Sequence, residues 1–170
     1  MTPSGTNLIG IVKHMTWIES WYLCEFFGRE RPRLAWEWEL DADWGHHSHM
    51  YAKPEETTEE LLVAYRAATA AADRTIDELD LDATGKHWSG EAVSLRTMLL
   101  TVLLETTRHA GHGDILRELI DGTTGERGAP SGFYGASDEE YRERYLARVR
   151  GEIDTPSWWE YLRARGKRWS

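Results

Sequence analysis

An all-α helical bundle is the fold class this sequence predicts, on three observations. Apolar residues recur at steps of three and four through separate stretches, the period at which one face of a helix is buried. Those stretches open at capping residues and close at glycines, as helices do. No stretch alternates convincingly as a half-buried strand, and no internal repeat or low-complexity tract interrupts the chain. With 170 residues, 41% hydrophobic and 29% charged, one domain over residues 1–170 buries enough surface to fold without disulfide or metal.

The first helix is expected from Thr6, as N-cap, to Gly28, with Leu8, Ile11, Val12, Met15, Ile18 and Tyr22 on its apolar side. From Arg29 to Pro54 the period dissolves among Trp36, Trp38, Trp44 and Gly45, which reads as a long, partly ordered loop. Thr57 and Glu60 stand at capping-box spacing, and Leu61, Tyr65, Ala68, Ala72, Ile76 and Leu79 mark one stripe of a second helix. Asp80 to Gly90 reads as a connector. Ser94 then caps a third helix that ends before Gly122, a rod of roughly 40 Å at about 1.5 Å per residue. Gly111 and Gly113 each weaken that rod by about 1 kcal/mol against Ala, which implies a packing or site requirement for them. Ser137 and Glu140 open a further helix with Tyr141, Tyr145 and Val149, and Thr155 and Pro156 start a turn bearing Trp158, Trp159 and Leu162.

The charge balance of −9 opposes a broad phosphate-binding face, so no nucleic acid partner is expected. The longest apolar stretch, Met98 to Leu104, falls far short of the roughly 20 residues that span a bilayer, so no membrane span is expected. A single cysteine, Cys24, and an N-terminus without the pattern of a signal peptide imply a cytoplasmic protein.

The chemistry lies on the third helix. Its inward stripe runs Met98, Val102, Glu105, His109, His112, Leu116 and Leu119, so three ionisable residues interrupt a core stripe. A buried carboxylate needs a compensating partner, and a divalent cation would serve. Glu105 and His109 sit one turn apart on one face, the spacing by which helical residues grip zinc. Catalytic zinc takes three protein ligands and leaves one position open, and His14, beside Ile11 and Ile18 on the first helix, is the best third ligand. The same Glu, His, His series also reads as a salt-bridged polar network holding no metal.

Other candidates have plainer readings. The loop histidines His46, His47 and His49 point in alternating directions and read as a surface or pocket-rim feature. His87 beside Trp88 reads as loop packing, and Cys24 as a small buried apolar residue. Glu55, Glu56, Glu59, Glu60 and Asp138 to Glu140 lie at helix starts, where the macrodipole favours them. The nine tryptophans divide between core filling and the lining of an apolar pocket.

Two stretches, TPSGTNLIGIVKHMTWIESWYL at residues 2–23 and ETTRHAGHGDILRELIDG at residues 105–122, resemble the DinB-like family of metal-binding four-helix bundles. The likeness is to an actinobacterial branch similar to mycothiol-dependent S-transferases and mycothiol-dependent maleylpyruvate isomerase. It implies a metal held by His14, Glu105 and His109, most simply zinc, that binds a low-molecular-weight thiol such as mycothiol. The thiolate would then attack a small electrophile. His112 would be the catalytic residue, accepting the thiol proton or holding a ligand by a hydrogen bond. Rival readings keep the metal ligands: a hydrolase or isomerase using metal-bound water, or a noncatalytic metal-binding stress protein. Relatives begin with an additional helix before the TPSGTNL motif. The expectation is therefore an open bundle face covered by Trp158 and Trp159 or by a second copy in a homodimer.

Overall fold

The structure, a computed structural model, describes residues 5–36, 49–122, 143 and 146–152. The chain divides into two compact units, Met1–Asp121 and Gly122–Ser170. In the first unit α1 spans Leu8–Glu19, α2 Thr58–Glu78 and α3 Leu95–Asp121. An antiparallel hairpin of β1, Thr84–Lys86, and β2, Ala92–Ser94, joins α2 to α3. The expected helical bundle is the architecture found.

α1 begins one residue later than expected. Asn7 is its N-cap, accepting a hydrogen bond from the Gly10 N–H at 2.7 Å. The chain then winds on through a π turn, Ser20–Cys24, and a 3-10 turn, Glu25–Phe27, until Gly28 closes it at φ +62°. The altered winding brings Leu23, Cys24 and Phe26 inward together. They join Ala71 and Ala72 of α2 and Leu95 and Met98 of α3 in one apolar core.

The capping box of α2 is complete: Glu60 N–H donates to Thr57 Oγ1 at 3.2 Å, and Thr57 N–H donates to Glu60 Oε2 at 3.1 Å. Beyond Leu61 its buried face is small, Ala68, Ala71, Ala72 and Thr75, so α1 packs closely on it. α1 is thereby covered on two sides, by α2 and by α3. That burial extends to its polar residues Lys13, His14, Thr16 and Glu19.

The hairpin corrects the expectation of no strands. At the centre of β1, Gly85 is required because a Cβ there would run into the Phe26 carbonyl and the Phe27 ring. α3 starts as expected, with Ser94 Oγ accepting from Thr97 N–H at 3.2 Å, and ends before Gly122 at φ +74°. Its stripe holds through Met98, Glu105, His109 and Leu116, whereas His112 and Leu119 face solvent. A repeat of 3.5 on a helix of 3.6 residues per turn drifts by about 20° per heptad, enough to carry the stripe off the core. Among the described residues nothing lies within 4 Å of a Cβ built on Gly111 or Gly113, so the packing requirement expected for them is not found.

In the second unit residues 146–149 are helical, and Gly151 at φ +71° follows them. The expected helix start at Ser137, the Trp158 and Trp159 turn, and Trp38, Trp44, His46 and His47 lie outside the described residues.

Candidate metal centre

α1 and α3 bring His14, Glu105 and His109 together, with one ligand atom from each lying within 4.8 Å of the others. Glu105 Oε2 stands 3.4 Å from His109 Nε2 and 3.9 Å from His14 Nε2. The rings of His14 and His109 meet edge to face with centroids 4.5 Å apart. Two donors each about 2.1 Å from one tetrahedral ion are about 3.4 Å apart, so these separations suit one small cation. Two imidazoles and a carboxylate are also a donor set that suits zinc.

The electrostatics agree with that fit. His14 is 7% exposed, and among the described residues neither ring nitrogen has a hydrogen-bond partner. Burial above all, with His49, His109 and Arg108 nearby, pushes its pKa down to about 3, leaving a neutral imidazole with a free lone pair. Burial likewise holds His109 below the usual histidine range, against the pull of Glu105. Outside the cluster Glu105 pairs with Arg108 at 3.1 Å. On the far side of His109, Nδ1 lies 3.2 Å from Nδ1 of His112. With Nε2 facing Glu105, that contact orients the imidazole, as outer partners of metal-binding histidines do. His112 is exposed and one turn beyond the cluster.

A family model of mycothiol S-transferases matches residues 1–122. The chain belongs to the mycothiol S-transferase family. The match takes in His14, Glu105, His109 and His112 and closes with α3. No curated protein and no solved structure matches it.

In this member of the mycothiol S-transferase family, two further features lie beside the cluster. His49 stacks on His14 at 4.7 Å and on Trp17 at 5.4 Å, so of the two expected places, surface or pocket rim, it takes the one beside the cluster. The segment bearing it is tied to α1 by Lys13, whose ammonium meets the Glu56 carboxylate at 2.6 and 2.9 Å. Gly10 lets that segment lie close, since a methyl there would meet the Met50 carbonyl. A ring wall also leaves the cluster: Trp17 stacks on Trp88 at 5.8 Å, and Trp88 meets Tyr22 at 5.7 Å and Phe26 at 5.2 Å. The spacing of Trp17 three residues beyond His14 was its one trace in sequence. His87 packs on Phe26 and Trp88 as expected. Cys24 is a buried free thiol whose pKa burial pushes up, which disfavours the thiolate.

Proposed function

We propose that this protein is a metal-dependent thiol S-transferase in which His14, Glu105 and His109 hold one zinc ion and the second substrate is a small electrophile. The observation that carries the reading is His14, a buried imidazole with both nitrogens unpartnered, facing a carboxylate and a second imidazole. Burying such polar atoms without partners costs about 1–3 kcal/mol, which a cation offsets. A bound zinc ion lowers a thiol's pKa from about 8.5 and readies the thiolate as a nucleophile.

The chain's own residues do the rest. His14 and His109 offer neutral lone pairs, and Glu105 brings the negative charge that favours a cation between them. His112 fixes the His109 ring by accepting the His109 Nδ1–H at its own Nδ1, and the thiol proton leaves to solvent. Family membership supports mycothiol as the thiol. The reducing cytoplasm suits the single free cysteine. The homodimer is supported by Leu100, Leu103, Leu104, Ile115, Leu119 and Ile120, which α3 exposes by 58–77%. Light scattering giving a monomer would remove it.

Following free thiol while mycothiol meets an electrophile, with and without chelator, tests the reading. Thiol loss that stops with chelator is expected. Hydrolysis of an ester or amide without thiol, or metal binding with no turnover, would overturn it.

A further inference from the structure

The ring wall beside the cluster is built unlike a core. Trp88 is 55% exposed, although it touches Trp17, Tyr22 and Phe26. Trp17 and Tyr22 are only half-buried. An indole that merely filled space would be covered, whereas this one, stacked on Trp17, leaves more than half of its surface exposed. Its hairpin is anchored by Gly85 against the 3-10 turn at Phe26 and Phe27, and its turn by the His87 N–H donating to the Glu91 carbonyl at 2.9 Å. The wall is also continuous with the cluster. His14 stacks on His49 with ring planes 23° apart, His49 on Trp17 at 9°, and Trp17 on Trp88 at 29°.

We propose that Trp88, backed by Trp17 and Tyr22, binds the electrophile of the transferase reaction, and that this electrophile is a flat, apolar, conjugated ring. The inference rests on the transferase reading and names the substrate class of that site. Stacked rings hold a flat partner by its face at centroid distances of about 4.5–7 Å, and the gain adds to burial of apolar area. The wall meets the cluster through Trp17 and His49, and a ring held on it reacts only where a carbon comes within about 3–3.5 Å of the thiol sulfur. With 1-chloro-2,4-dinitrobenzene as probe, the sulfur lone pair forms the C–S bond. The C–Cl bond breaks, chloride leaves with its electron pair, and the thiol proton goes to solvent.

The test separates binding from turnover. Equilibrium dialysis of the full chain with 1,3-dinitrobenzene, which has no leaving group, needs neither thiol nor metal. Trp88→Ala and Trp88→Leu are expected to raise its Kd about tenfold, and Trp88→Phe to restore most of the affinity. The ratio of kcat/KM for 1-chloro-2,4-dinitrobenzene to that for iodoacetamide, a small aliphatic electrophile, should fall about tenfold in Trp88→Leu. Wild-type Kd in Trp88→Leu, an unchanged ratio, or a rise in KM for mycothiol in place of the aromatic probe would each overturn the proposal. Conjugation of iodoacetamide with no dinitrobenzene binding sinks the wall alone. Trp88-dependent binding with no thiol consumption by the wild type supports the wall and sinks the transferase reading alone.

Discussion

Lys13 and His14 are neighbours on α1, 1% and 7% exposed, and the helix has met their burial in opposite ways. The Lys13 ammonium is closed by Glu56 at 2.6 and 2.9 Å, the Tyr51 carbonyl at 3.5 Å and the Trp36 ring at 5.3 Å. His14 has rings around it and no hydrogen bond to either nitrogen. A satisfied buried charge fastens one segment to another. An unsatisfied buried base beside a carboxylate and another base is a place for something that arrives later. The difference gives Lys13 a structural part and is what the proposed ligand role of His14 rests on.

The largest effect should come from the satisfied side. Glu56→Ala strands a buried ammonium and should cost about 3–5 kcal/mol in urea unfolding, whereas Lys13→Met, which leaves no buried charge, should cost far less. Equal losses in the two variants would erase the distinction.

The unsatisfied side should behave in reverse. In the presence of chelator, His14→Leu removes two unpartnered nitrogens from the interior and should leave stability unchanged or raise it by about 1 kcal/mol. A loss of several kcal/mol would mean that His14 holds the bundle together.

How much of this was legible in sequence follows the range of each interaction. The box of Thr57 and Glu60 and the stop at Gly122 are local, so α2 and the limits of α3 could be read directly. Glu105 and His109 share a face by spacing alone, and His14 could be joined to them only through the apolar stripes of two helices and the family resemblance. The hairpin was missed because strands of three residues, one centred on glycine, carry no alternation to detect. The tie between Lys13 and Glu56 spans 43 residues, so it had no local signal. The stripe on α3 was extended too far because a strict 3–4 alternation ignores the drift of a straight helix.

The smallest effect concerns a buried carboxyl of intermediate kind. Glu19 accepts from Tyr65 at 3.2 Å and Thr69 at 2.9 Å, yet burial still raises its pKa above the ordinary value near 4.5. The folded state therefore holds this proton more tightly than the unfolded state. Its contribution is fully present below about pH 4.5 and is lost as pH rises through the raised value. Glu19→Gln cannot titrate, so its stability relative to wild type should climb across that window in urea melts at stepped pH. A flat difference would remove Glu19 from the account.

The central claim is that His14, Glu105 and His109 are the ligands of one cation. Zinc titration against a competing chelator, on wild type, His14→Leu, Glu105→Gln, His109→Ala and His112→Ala, tests it most directly. The account predicts one zinc per chain in the wild type, loss of that zinc in the first three variants, and retention in His112→Ala with affinity lowered about 10–100-fold. A wild type that takes up no zinc, or a His14→Leu protein that binds it as tightly as wild type, would contradict the account.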